Sequence, residues 1–330
     1  MKLLALLPAL TLATATLATA ADQQWISFSG QAGPGKGKHI VFLSGDEEYR
    51  SEEGLPQLAR ILSQRHGFKT TVLFSVNPKT GEIDPKTTDN EPGMEQLDSA
   101  DLVIMLLRFR QWPDEQMKHF VDYYLSGKPV IALRTSTHAF NFKPGTTYAR
   151  YAWGAKDWVG GFGKQVLGET WVAHHGKHKV EGTRGIIEPA YAQVPILRGV
   201  TDLFADTDVY TANPPEDATI LVRGQVTASL DPASPPTTET KKNEPMQPVV
   251  WLRTPKNEAG KTNKVLTTTM GSATDLKNES LRRLLVNTAY AFTGLEVPEK
   301  ADVSLVGAYN PTFYGFGSNK TGVKPADLAK

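Results

Sequence analysis

The sequence predicts an α/β fold built on a parallel, doubly wound sheet. Short apolar runs of strand length alternate with segments of helical period. Residues 39–44 (His-Ile-Val-Phe-Leu-Ser) and 100–107 (Ala-Asp-Leu-Val-Ile-Met-Leu-Leu) are nearly continuous in apolar side chains. Runs of this kind suit strands covered on both faces. The helical segments between them place their apolar residues on one side, and strand–helix–strand order implies parallel pairing.

The first helix is expected over 51–66, with Leu55, Leu58, Ala59 and Leu62 on one face and Gly67 placed for a left-handed cap. Residues 70–74 form the next strand, and 77–93, rich in Pro and Gly, form a loop. The second unit repeats the order. A strand over 100–107 is followed by a helix over 113–126 with Met117, Phe120, Val121, Tyr124 and Leu125 on its apolar face, then by a strand over 129–133. Beyond residue 140 the pattern loosens. Gly160, Gly161, Gly163 and Gly168 lie among Trp153, Trp158, Phe162 and Trp171, which predicts aromatic loops. Strands are expected at 208–210, 220–226, 249–253 and 265–270, and a helix at 278–293 ended by Gly294. No internal repeat is present.

Four segments are expected along the chain. Residues 1–20 resemble a cleaved export signal: Lys2, an apolar run of about ten residues, then Ala18-Thr19-Ala20. The run is too short to span a bilayer. A linker over 21–37 leads into one α/β domain over 38–298, interrupted by a polar, Pro-rich insertion at 229–248 expected to be flexible. Residues 299–330 form an extension that packs on the domain or stays partly disordered. The expected location is periplasmic or extracellular.

The chain has no Cys and a net charge of +1. A thiol nucleophile and thiolate metal sites are therefore excluded. A basic field for nucleic acid or an anionic membrane is absent. The expected ligand is small and near neutral. Oligomeric state is left open, a homodimer being one option.

Parallel sheets bind ligands beyond the carboxyl ends of their strands. Here those ends carry Gly45-Asp46-Glu47-Glu48-Tyr49-Arg50, Arg108-Phe109-Arg110 and Arg134-Thr135-Ser136-Thr137-His138. The carboxylates could supply a base or a metal ligand, or merely an acidic turn at a helix start. The arginines could orient an oxygen-rich ligand, or pair with Glu47, Glu48 or Asp101. Arg134 is the strongest functional candidate among them, because it follows a fully apolar strand. Thr135 and Ser136 stand where a nucleophile elbow would lie, but the Gly-x-Ser-x-Gly pattern is absent, so ligand binding or helix capping suits them better. His174, His175 and His178 fall within five residues, a spacing that lets two of them share one metal. Lys177 and Lys179 beside them also fit an exposed basic loop.

Several runs resemble the ThuA-like (trehalose-utilisation) family, in particular its exported bacterial branch. They are Gly-Asp-Glu-Glu-Tyr-Arg-Ser-Glu-Glu at 45–53, Leu-Arg-Thr-Ser-Thr-His-Ala-Phe at 133–140 and Gly-Glu-Thr-Trp-Val-Ala-His-His-Gly at 168–176. Thr-Asp-Val-Tyr at 207–210 and Thr-Thr-Thr-Met-Gly-Ser-Ala-Thr-Asp-Leu at 267–276 belong with them. The resemblance implies a flavodoxin-like three-layer α/β/α sandwich similar to class I glutamine amidotransferases. Amidotransferase activity is not implied, since the elbow cysteine is missing. It implies sugar metabolism, on trehalose-like or oxidised 3-keto glycosides. His138 and His174 or His175 match family histidines, and Asp208 and Tyr210 match its Asp-Glu-x-Tyr segment, with Val209 in place of the acid. Two departures are Val194-Pro195 and Gly271-Ser272, where many members carry a histidine.

The resulting expectation is an exported lyase, isomerase or hydrolase of sugars. His138, Glu48 and Arg134 would be catalytic. Asp46, Tyr49, Arg108, Arg110, Thr135, Ser136, Trp171, Asp208 and Tyr210 would bind substrate. His174, His175 and Glu47 would hold a divalent metal, Zn or Mn. The alternative is a non-catalytic carbohydrate-binding protein of the cell envelope, supported by the aromatic set Trp112, Tyr151, Trp153, Trp158 and Trp171.

Overall fold

The computed structural model describes residues 23–329; the expected export signal, residues 1–20, lies outside them. One ten-stranded mixed sheet runs through the molecule, flanked by three α-helices. In chain order the elements are β1 (Trp25–Phe28), β2 (His39–Gly45), α1 (Ser51–His66), β3 (Lys69–Phe74), β4 (Leu102–Leu107), α2 (Asp114–Leu125) and β5 (Val130–Leu133). There follow β6 (Thr183–Ile187), β7 (Phe204–Ala205), β8 (Thr219–Val226), β9 (Gln247–Arg253), β10 (Val265–Thr268) and α3 (Glu279–Phe292).

The spatial order is β1-β3-β2-β4-β5-β10-β9-β8-β6-β7. The five central strands β3, β2, β4, β5 and β10 are mutually parallel, as their apolar runs predict. Every residue of β2, β4, β5 and β10 is buried. The remaining strands pair antiparallel, so the expected parallel arrangement covers only half of the sheet. Alternate residues of the parallel strands feed two cores. Ile40, Phe42, Ile104 and Leu106 pack with α1 and α3, whereas Val41, Leu43, Val103 and Met105 pack with α2 and the aromatic loops.

Helix α1 spans the residues expected of it, and Gly67 caps it at φ 80°. Two expectations differ. Residues 208–210 form no strand; only Tyr210 makes a bridge, to His174. Segment 229–248 is fastened to the end of β8: the Asn243 side chain bonds both backbone groups of Val226, and Lys242 pairs with Glu181. The C-terminal extension packs on the domain. Val303 and Tyr314 enter the larger core, and Tyr309 donates to the Ala273 carbonyl at 2.6 Å.

Candidate functional site

From β2 the chain passes to β3 on one side and later to β4 on the other. Such a reversal opens a crevice at the strands' carboxyl ends. A cleft of about 360 Å³ lies there, lined by residues that follow β2 (Glu48), β4 (Arg108, Phe109) and β5 (Thr135, His138). The loop carrying Trp171, His174 and His178 closes one side, and Tyr210 and Phe316 complete it.

Among the described residues, four that are not glycine adopt a left-handed backbone: Arg50, Phe109, Arg134 and Lys179. Each such residue costs about 1–2 kcal/mol. All four lie in this region: Phe109 lines the cleft, Lys179 follows His178, Arg50 ends the turn after β2 and Arg134 is the first residue after β5. Strain gathered at one place marks a site held in a set geometry by its surroundings.

The turn after β2 is organised by Asp46. Its Oδ1 accepts from the backbone of Glu48 at 2.7 Å and Tyr49 at 2.5 Å, and its Oδ2 from the Thr135 hydroxyl. Burial, then the neighbouring Glu47, push this carboxyl above its usual range. Asp46 is therefore spent on the protein, and its side chain shapes the turn that aims Glu48.

Arg134 is fully buried and presents no surface to the cleft. Its guanidinium lies between the rings of Tyr49 and Tyr210, at 4.4 and 4.0 Å. It donates to the carbonyls of Asp208 and Thr269 and pairs with Asp208 Oδ1 at 2.8 Å. The expected catalytic arginine is thus a structural post, and Tyr49 is its lid.

Asp208 is the centre of the polar network. Its Oδ2 lies 2.7 Å from His174 Nδ1, and its Oδ1 lies 3.1 Å from His178 Nδ1. Burial alone would raise this carboxyl, but Arg134 and the two imidazoles outweigh it and hold the group well below its usual range. His178 bridges two carboxylates, because its Nε2 lies 3.0 Å from Glu48. Its hydrogen bonds to Asp208 and Glu48 raise its pKa to about 9. The charges of Arg134 and His178 then balance those of Asp208 and Glu48.

His138 sits deep in the cleft, 4% exposed. Burial, with Arg108, Arg134 and His174 nearby, pulls its pKa well below the ordinary value, so it is neutral at neutral pH. The rings of His138 and His174 both contact Trp171, at 5.9 and 6.0 Å. Gly163 lets this loop close on the His138 segment: a Cβ there would meet the Thr137 carbonyl oxygen at 1.9 Å.

Several expected site residues lie elsewhere. His175 turns away and bonds the Lys242 carbonyl through Nε2 at 2.8 Å. Glu47 pairs with Arg108 and Arg110 rather than with any histidine. Arg110 is buried and holds the carbonyls of Pro85, Thr87 and Arg108. Ser136 donates to Met105 and accepts from Leu107, bracing β4. Of the aromatic set, Trp112 and Tyr151 belong to the core, whereas Trp171 lines the cleft. The one three-residue cluster among the described residues with metal-ligand geometry is His174, His178 and Asp208, whose donor atoms lie within 4.8 Å of one another. Of the expected metal ligands it retains only His174.

No protein-family model matches the chain, and no curated protein matches it. Solved structures do. A protein of Bacteroides uniformis described as ThuA-like aligns over 80% of this chain and 93% of its own, at 13% identity and a TM-score of 0.47. Another ThuA-like protein, from Parabacteroides merdae, aligns over 80% and 92%, at 14% identity and 0.45. A cytoplasmic protein of Salmonella typhimurium aligns over 79% and 100%, at 11% identity and 0.44. At these values no activity passes to this chain.

The network also includes two residues outside the expected site set. His178, part of the histidine motif but not among the expected ligands, stands between the two carboxylates, and Tyr314, which no motif singled out, packs on both Tyr49 and His178, at 5.2 and 5.6 Å. The signal for the second was Phe313-Tyr314-Gly315-Phe316, an aromatic run in an otherwise polar tail.

Proposed function

We propose that the protein is an exported, sugar-active enzyme of ThuA type, acting on trehalose-like or 3-keto glycosides with His174 as its acid/base group. The carrying observation is the Asp208–His174 pair. A carboxylate accepts from Nδ1–H, which orients Nε2 away from Asp208 to serve as the acid/base nitrogen. Among the described residues that nitrogen has no hydrogen-bond partner, and the His174 ring lines the cleft. Asp208 thus acts as the positioning partner, as the carboxylate does in a catalytic triad. The sugar class comes from the sequence runs; the near-neutral charge and the mix of aromatic and polar walls agree with it. The parallel strands, read as β3-β2-β4-β5-β10, follow the flavodoxin-like order.

In this reading His174 Nε2 takes a proton from the carbon next to a sugar carbonyl. The electron pair moves onto the carbonyl oxygen. Arg108, part-exposed in the cleft, supplies the balancing charge. Neutral His138 offers a hydrogen bond without competing for the proton. Returning the proton to a different carbon isomerises the sugar; passing it to the β-oxygen as that C–O bond breaks and the enolate collapses to an enone releases the substituent as an alcohol. The test is to follow trehalose and 3-ketotrehalose by NMR with the purified protein. Consumption of 3-ketotrehalose supports the reading; trehalose has no carbonyl, so its consumption would keep the sugar assignment but contradict the proton abstraction. Binding without turnover would make the protein a carbohydrate-binding protein, and inertness toward both would end the sugar assignment.

A second reading rests on the His174–His178–Asp208 cluster. Two imidazoles and a carboxylate are a donor set that Zn or Mn accepts. A divalent cation there would replace the proton on His178 and would polarise a carbonyl. The proton-bridged arrangement is preferred because both Nδ1 atoms already face Asp208 oxygens at hydrogen-bond distance.

A further inference from the structure

The C-terminal segment does more than cover the sheet. Segment 313–318 crosses the mouth of the cleft and is fastened to the site at several points. Gly315 donates its backbone N–H to the Glu48 carbonyl at 2.8 Å. Arg50 donates to the Gly315 carbonyl and to the Ser318 hydroxyl. Tyr314 is buried against Tyr49 and His178. Its hydroxyl donates to the Asp206 carbonyl at 3.0 Å. Arg108 lies between two rings, with its guanidinium 4.5 Å from Phe109 and 5.0 Å from Phe316.

Phe316 is the odd member of this set. It lines the cleft yet is 59% exposed, more than any other large apolar side chain among the described residues except Val159 at 64%. A phenyl ring held at the mouth of a cleft offers an apolar face that a ligand can cover. Its backbone is held by its anchored neighbours Tyr314, Gly315 and Ser318, and its ring by Arg108, so the ring is presented at the mouth. Behind it lies a polar floor of Glu48, His174 and His178. A flat apolar ring beside polar groups matches a sugar ring, which has an apolar face and a hydroxyl-bearing edge.

We propose that segment 313–318 is a built-in wall of the ligand site and that Phe316 is the platform for the outer ring of a two-ring glycoside, the inner ring lying against His174. This rests on the carbohydrate reading above for the ligand, but not for the wall. A glycoside with one ring fills the inner position and leaves Phe316 uncovered. A disaccharide reaches it. Phe316 therefore selects for length without touching the reacting atoms.

The experiment uses the full chain with Phe316→Ala and Phe316→Trp, both exposed substitutions that leave the Tyr314 and Gly315 anchors in place. Histidine modification by diethyl pyrocarbonate is read by peptide mass spectrometry, with His119 on the surface helix α2 as internal reference. Calorimetry with trehalose and with glucose gives affinity. The wall predicts that Phe316→Ala speeds labelling of His138 and His174 several-fold relative to His119. The platform predicts that Phe316→Ala weakens trehalose about tenfold while glucose changes little, and that Phe316→Trp restores trehalose binding. Unchanged labelling overturns the wall. Equal effects on the two sugars, or none, overturn the platform. If the wild type binds neither sugar, the carbohydrate reading and the platform fall together, and the labelling alone decides the wall.

Discussion

Asp208 and His174 form one directed pair: Oδ2 of the carboxylate lies 2.7 Å from Nδ1 of the ring. The carboxylate is fully buried and the imidazole about one-third exposed. Burial fixes the acceptor, and exposure leaves the opposite ring nitrogen available to a ligand. His178 uses the same carboxylate but spends its other nitrogen on Glu48. Two histidines four residues apart thus take different parts, one available for chemistry and one for charge balance.

Asp208→Asn keeps the shape and removes the charge. Arg134 would then lack its buried counter-charge, while His178 would keep only Glu48; breaking a buried pair costs about 3–5 kcal/mol. Chemical denaturation should show a loss of this size. His174→Ala, at a part-exposed position, should lose much less, so the two variants separate network stability from chemistry.

Arg134→Met tests the structural post. Its neighbours are two aromatic faces, two carbonyls and one carboxylate, all buried. The variant should lower the melting temperature sharply. A protein of wild-type stability that has lost only turnover would show that the arginine acts on substrate.

Glu52 predicts a pH effect. It lies in the first turn of α1, and neither carboxylate oxygen has a hydrogen-bond partner. Burial pushes its pKa to about 8, against 4.5 for the free group. The folded state therefore keeps a proton that the unfolded chain releases. Its contribution is full below about pH 4.5, declines as pH rises toward 8, and is level beyond. Glu52→Gln removes this dependence. Thermal melts should show the variant matching the wild type near pH 4 and exceeding it by several degrees at pH 8.

Metal content separates the two readings of the histidine cluster. Elemental mass spectrometry of purified wild type should find no stoichiometric Zn or Mn under the proton-bridged reading. A full equivalent that is lost in His174→Ala and in His178→Ala, but kept in His175→Ala, would establish the metal reading.

The parallel half of the sheet was legible because buried parallel strands leave continuous apolar runs, and α1 matched its expected span at both ends. The antiparallel half was harder. Strand β6 reads Thr-Arg-Gly-Ile-Ile, in which Arg and Gly break any pattern, and β7 has two residues. Residues 208–210 look like a strand because their apolar and aromatic side chains are buried, but their backbone makes only a bridge. The site's location was legible from the polar residues that end each central strand. Their division of labour was not. Whether His175 or His178 joins His174 depends on Asp208, some thirty residues later, and only the fold brings it near. Arg134 showed the limit most clearly, since a charged residue after an apolar strand can face a ligand or be enclosed by two tyrosines.

The most direct measurement is the rate of 3-ketotrehalose consumption by wild type, His174→Ala and His175→Ala under saturating substrate. The account predicts that His174→Ala falls by about 10²–10⁴-fold while His175→Ala stays near wild type. Equal turnover in wild type and His174→Ala would contradict it.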